Sequence, residues 1–271
     1  MNNLTKRILL VIFIIYASIF ISGLFFAEKV LFQPHPSSYK DTPEILKFTT
    51  RDGNKISALY LANPTAKFTL LVSHGNAEDL GDDRDWLEDL RKSGFSVLAF
   101  DYQGYGTSEG KPSEKASYDD ENAAYDYLTL NLKISSSSII IFGRSVGSGP
   151  AVYLAARRPA AGLILQSPFI SAFRVLTRIP ILPFDKFPNA RDIRRVRCPV
   201  LIMHGTEDRV IGFWHGQRLY DLANGPKRSL WVQGADHNDF DMVAGRSYGE
   251  ALQQFAALVT ETDKVLPAST P

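Results

Sequence analysis

The longest apolar stretch in the chain is also its first. Residues 8–26 read ILLVIFIIYASIFISGLFF, with no charge and only Tyr16, Ser18 and Ser22 as polar interruptions. At 1.5 Å per residue a helix of this run spans roughly 28 Å, about one bilayer hydrocarbon core. No side of it is polar, which argues against an amphipathic core helix. Beyond a proline-bearing stretch that begins Gln33-Pro34-His35-Pro36, the pattern changes. Short β-type runs at 45–50 and 55–61 flank Asp52-Gly53-Asn54 and predict a hairpin. Runs at 68–73, 95–100, 138–142, 162–165, 200–203 and 229–232 are mostly continuously apolar, as expected for strands covered on both faces of a parallel sheet. Helical patterns near 84–93, 118–132, 147–157, 214–224 and 244–259 fall between and after them. The alternation predicts an α/β fold, a mostly parallel doubly wound sheet with an antiparallel N-terminal hairpin.

The flanks of the apolar run orient it. Lys6 and Arg7 precede it, while Glu28 and Lys29 follow and cancel, so a spanning helix keeps its N-terminus cytoplasmic and sends the bulk of the chain across. The alternative is a cleaved signal peptide. Its apolar core is usually shorter, and the exit Leu24-Phe25-Phe26-Ala27-Glu28 lacks a small-x-small cleavage pattern.

Composition adds little beyond this. The 271 residues are 45% apolar and 22% charged, values of a globular protein, and the net charge of +1 predicts no nucleic-acid partner. Cys198 is the single cysteine, so no intramolecular disulfide can form.

The candidate chemistry centres on Gly143-Arg144-Ser145-Val146-Gly147, set between an apolar strand and a helix opening at Gly149-Pro150-Ala151. In that setting G-x-S-x-G is a nucleophile elbow: a sharp turn lifts the serine hydroxyl above the strand ends. A phosphate-binding turn would need G-x-G-x-x-G, which this order of glycines does not supply. A serine hydroxyl needs a base. Of the five histidines, His237 in Gly234-Ala235-Asp236-His237-Asn238 follows the last strand, where the order serine, acid, histidine puts the base. The acid belongs after a late strand between the two, which points to Asp208, with Glu207 as its rival and Asp236 too near His237 in sequence. The oxyanion donors are expected to be the backbone amides of Val146 and of Asn76, with Ala77 the alternative, in the loop His74-Gly75-Asn76-Ala77 after an early strand. No cluster has zincin-like spacing, so neither a metal nor a cofactor is expected.

These motifs resemble the α/β-hydrolase superfamily, and within it the BEM46-like membrane-anchored serine hydrolases. The resemblance rests on the apolar run followed by Leu31-Phe32-Gln33-Pro34, on residues 74–77, on Asp101-Tyr102-Gln103-Gly104-Tyr105-Gly106-Thr107-Ser108-Glu109-Gly110, on residues 143–147, on His204-Gly205-Thr206-Glu207-Asp208, and on residues 234–238. It departs at Gln103, where arginine is expected. It implies an α/β-hydrolase fold and hydrolysis of ester, thioester or amide bonds through an acyl-enzyme, and it argues against the epoxide hydrolases and haloalkane dehalogenases, which carry aspartate at the elbow.

The substrate side is expected in a short cap at 168–197, rich in aromatic and aliphatic side chains and carrying seven basic residues against two acidic ones. One reading makes its aromatics core filler and its arginines solvated. The other makes 179–187 an acyl-binding wall in which Phe184 and Phe187 set chain-length preference. The division expected from sequence is a cytoplasmic N-terminus at 1–7, a transmembrane anchor at 8–27, a linker at 28–43, a catalytic domain at 44–262 and a flexible tail at 263–271. The expected partners are a membrane and a small-molecule or lipid acyl ester substrate.

Overall fold

The computed structural model describes residues 2–265. Eight strands form one sheet in the order β1-β2-β4-β3-β5-β6-β7-β8. The strands are β1 Ile45–Thr49, β2 Lys55–Leu61, β3 Thr69–Ser73, β4 Ser96–Phe100, β5 Ile139–Arg144, β6 Gly162–Gln166, β7 Val200–Gly205 and β8 Lys227–Val232. The predicted hairpin is present: β2 runs antiparallel to both β1 and β4, and the remaining pairings are parallel. The chain winds outward in both directions from β3 and β5, and such a sheet offers its ligand site at the carboxyl ends of its strands.

The continuous apolar runs follow from burial on both faces. In β5, Ile139 and Ile141 join one core with Ala124, Tyr125, Ala151 and Leu154. Ile140 and Phe142 face the opposite way, toward Leu87, Leu90, Leu252 and Phe255. The first layer contains α3 (Glu114–Asp126), α4 (Ser148–Ala155) and α5 (Trp214–Leu222); the second contains α2 (Arg84–Lys92), α6 (Phe240–Ala244) and α7 (Arg246–Val265).

Two helices differ from the sequence expectation. The helix expected at 118–132 starts at Glu114, because the Ser113 side chain accepts from the Ala116 amide and caps it, and it ends in a π-helical turn at Tyr127–Asn131. The helix expected at 244–259 is two helices, split where Gly245 takes a φ of +52°. The second of these runs through Val265; residues 266–271 of the expected tail lie outside the described residues.

Helix α1 (Asn3–Leu31) is the only one among the described residues long and apolar enough to cross a membrane, and its most apolar window is unburied. It is nevertheless docked at its C-terminal end. Phe20 meets Phe184 edge-on at 5.3 Å, Lys186 pairs with Glu28 at 2.9 Å, and Phe32, just past the helix, is buried against Tyr102 and Phe187.

Candidate active site

Strand β5 ends at Arg144, and Ser145 opens a one-turn 3-10 segment leading into α4. Ser145 has a φ of +53°, a left-handed backbone rarely taken by a residue with a side chain. The turn is possible because Gly147 lies against the end of β3: a Cβ there would overlap the carbonyl of Ser73. This is the local strain expected of a nucleophile elbow.

The three residues expected to react converge from three loops at one end of the sheet. His237 Nε2 lies 3.0 Å from Ser145 Oγ, and His237 Nδ1 lies 2.8 Å from Asp208 Oδ2. The other oxygen, Asp208 Oδ1, accepts the amides of Val210 (2.9 Å) and Ile211 (2.7 Å). His204 Nε2 approaches Asp208 Oδ2 at 3.2 Å and the Ile211 carbonyl at 2.7 Å. Burial pushes the Asp208 carboxyl up, but the hydrogen bonds from His204, His237 and the loop amide outweigh it and hold the group well below the usual carboxylate range. The rivals fall away: Glu207 is exposed, and Asp236 pairs with Arg209 and accepts the His237 amide.

The loop after β3 brings Asn76 beside Val146 on the wall of one cavity. The Ala77 amide is turned to Asn76 Oδ1 at 3.0 Å, which favours Asn76 over Ala77 as a backbone donor to an oxyanion. His74 is buried, with Nδ1 at 2.7 Å from the Gly75 carbonyl, and burial lowers its pKa to about 4. It is a neutral prop for the loop. His74, Glu78 and Asp83 lie close together, but both carboxylates are paired with the Arg144 guanidinium.

The cavity has a volume of about 460 Å³, within the ~300–1,000 Å³ range of ligand sites. Phe184 lines it and Phe187 does not. Phe187, with a φ of +52°, is fully buried against Phe32, Tyr118 and Phe169, so half of the expected chain-length pair is core. The cap arginines are partly engaged as well: Arg174 and Arg178 lie over the Trp214 ring at 5.9 and 5.8 Å.

Known proteins share this fold. The family model described as serine aminopeptidase, S33, matches residues 64–183. The chain is 41% identical over 227 residues to human alpha/beta hydrolase domain-containing protein 17B, covering 82% of this chain and 78% of that one. The Xenopus tropicalis 17B protein is 41% identical over 231 residues, covering 84% and 78%. The chain belongs to this family of α/β-hydrolases. It is a serine hydrolase. The fold of this α/β-hydrolase is also that of the Pyrococcus furiosus esterase Pf2001, with a TM-score of 0.70 at 22% identity, covering 82% of this chain and 97% of that one. The esterase domain of a Rhodothermus marinus protein gives a TM-score of 0.61 at 19% identity, covering 78% and 96%.

Several residues that shape the site of this α/β-hydrolase escaped the sequence reading. Asn76 Oδ1 accepts from the Gln33 amide (2.9 Å) and from Tyr105 Oη (2.7 Å). Tyr102 Oη donates to the His74 carbonyl at 2.8 Å. The motif at 101–110 therefore braces the loop that carries His74 and Asn76. Gln103, the departure from the family pattern, receives Asn54 at 2.8 Å and donates to Asp120 at 2.9 Å through both its amide and its side chain. Glu78 accepts the Gly75 amide at 3.0 Å and pairs with Arg144, joining the loop after β3 to the residue before Ser145.

Proposed function

We propose that this chain is a membrane-anchored serine hydrolase that cleaves carboxylic ester or thioester bonds through Ser145, His237 and Asp208. The observation that carries the reading is the continuous hydrogen-bonded line from Ser145 Oγ through the His237 ring to a carboxylate fixed by two amides. Ser145 Oγ attacks the acyl carbon while its proton passes to His237 Nε2. Asp208 holds the Nδ1–H tautomer and stabilises the imidazolium. The Asn76 and Val146 amides receive the oxyanion. Collapse breaks the bond to the leaving alcohol or thiol, which takes the proton from His237. Water, deprotonated by the same ring, then attacks the acyl-enzyme and releases the acid and free Ser145.

The same reading assigns 8–27 to a single membrane span with 1–7 cytoplasmic and 44–262 to a catalytic domain on the extracytoplasmic side; the expected linker at 28–43 is shorter than drawn from sequence, because 28–31 continue α1 and Phe32 packs into the core. The length and exposed apolar surface of α1 support it, as do Lys6 and Arg7 ahead of the run. The BEM46-like resemblance fits the same assignment.

Fluorophosphonate labelling of the full-length protein tests the nucleophile: wild type labels and Ser145→Ala does not. A panel of p-nitrophenyl esters, acyl-CoA thioesters and peptide amides then defines the bond cleaved. Amides belong in it because the matching family model is described as an aminopeptidase. Labelling that survives Ser145→Ala overturns the reading.

A further inference from the structure

The cavity beside the candidate nucleophile is not enclosed by the hydrolase domain alone. One wall is helix α1, which contributes Ile19, Ser22, Gly23, Phe26, Ala27 and Val30. These positions are spaced 3, 4, 7, 8 and 11 from the first and form a single helical stripe. The opposite wall is cap, including Phe173, Leu182 and Phe184, and the same cavity is lined by Asn76 and Val146.

Depth follows from helix geometry. Ile19, Ser22, Gly23 and Phe26 belong to the uncharged run 8–26, so this part of the cavity is level with the hydrocarbon that the run would occupy. From Phe26 to Leu31 is about one and a half turns, roughly 8 Å of rise. Two residues on, the Gln33 amide donates to Asn76 Oδ1. The oxyanion loop thus sits just above the boundary and the cavity reaches below it. The cap goes down with it: a Cβ on Gly23 would stand 2.6 Å from Leu182 Cδ1 and 3.4 Å from Phe184 Cζ. Leu176 and Ile179 on the same cap are 80% and 68% exposed, a high cost in water and none in lipid.

Resting on the hydrolase reading above, we infer that α1 is a wall of the acyl-binding cavity, and that the acyl chain of the substrate enters it laterally, sliding in from the membrane between α1 and the cap. The chain then passes from lipid to cavity without crossing water. The Glu28–Lys186 ion pair, at 2.9 Å, clamps the two walls together on the aqueous side.

The test uses full-length protein in phosphatidylcholine vesicles, with p-nitrophenyl butyrate and p-nitrophenyl palmitate as probes. Gly23→Phe and Ile19→Trp each add bulk to the α1 wall and are expected to lower the palmitate-to-butyrate ratio of kcat/KM by about tenfold or more. Phe25→Ala, on a lipid-facing position of α1 outside the cavity, is expected to leave both rates unchanged. Fluorophosphonate labelling reports whether each variant assembles its nucleophile; if Gly23→Phe does not, Ile19→Trp decides. Diluting palmitate ester with inert phospholipid at fixed bulk concentration is expected to lower the rate in proportion to its mole fraction. An unmoved ratio in the α1 variants, or a palmitate rate blind to surface dilution, overturns the inference. Butyrate turnover that persists in Ser145→Ala overturns the hydrolase reading instead.

Discussion

The backbone amide of Gln33, two residues beyond the last turn of α1, donates to the side-chain oxygen of Asn76 at 2.9 Å, and Tyr105 Oη meets the same oxygen at 2.7 Å. The helix exit, the 101–110 loop and the loop that carries Asn76, the candidate oxyanion loop, are therefore knotted at one atom. Removing that atom should loosen the donor geometry while leaving substrate contacts in place. Asn76→Ala is expected to lower kcat by about 10- to 100-fold with little change in KM, a fraction of the ~10²–10³-fold cost of losing an oxyanion donor outright. Because Gln33 acts through its backbone, Gln33→Ala should be close to neutral. Steady-state kinetics on a soluble short ester separates the two.

Ser145→Ala and His237→Ala are each expected to lower kcat by on the order of 10⁶, and Asp208→Asn by roughly 10⁴. Glu207→Gln should change little, since that side chain is exposed, and so should Asp236→Asn, whose partners are Arg209 and a backbone amide. Comparable losses in Asp208→Asn and Glu207→Gln would show that the acid is misassigned.

Phe184 and Phe187 look alike in sequence and should behave differently. Phe187→Ala opens a hole in a fully buried aromatic cluster, at a cost of about 3–5 kcal/mol, and should lower Tm sharply. Phe184→Ala removes cavity wall and should shift acyl-length preference with a smaller change in Tm. Thermal melts and an ester series on both variants check this.

Glu121 is fully buried under the end of β3, where it accepts from Ser73 Oγ. Burial raises its pKa to about 8, only partly opposed by that hydrogen bond. A carboxyl whose folded pKa exceeds its unfolded one lends stability that is complete below the unfolded value, near 4.5, and is lost as pH rises through 8. Glu121→Gln keeps an acceptor for Ser73 and removes the titration. Its Tm relative to wild type is expected to rise by a few degrees between pH 5 and pH 9. A difference that stays constant with pH rejects the account.

Much of the fold and the candidate site was legible for one physical reason: strands buried on both faces must be continuously apolar, and a nucleophile elbow needs small residues where its turn passes the neighbouring strand. Ser145 and Asp208 are found because each sits one short loop beyond such a strand, and His237 because it follows the last strand, the partly exposed edge strand β8, in the chain order of the motif. The bracing residues were not legible, since Gln33, Glu78 and Tyr105 act on backbone or side-chain atoms more than 40 positions away or through loops with no periodic signal. The start of α3 was missed although Ser113 gives a cap, because the apolar pattern begins only later. Phe187 was left open between core and wall because an apolar cap residue reads the same whether it faces core or cavity. The role of α1 had a signal that went unread: Ser22, Gly23 and Ala27 place small side chains on one stripe, where another element can approach closely.

The Glu28–Lys186 ion pair fixes more than the contact between helix and cap. Charges resist hydrocarbon, so in the membrane-anchored reading proposed above the pair acts as a float line, and the cap beneath it is held at one depth relative to the lipid headgroups. An apolar helix adjusts to a bilayer that does not match its length by tilting. Here tilting would lever the cap against the sheet. On that reading membrane thickness becomes a mechanical input to the cavity, and lipids of different tail length should tune its width with no change in the protein.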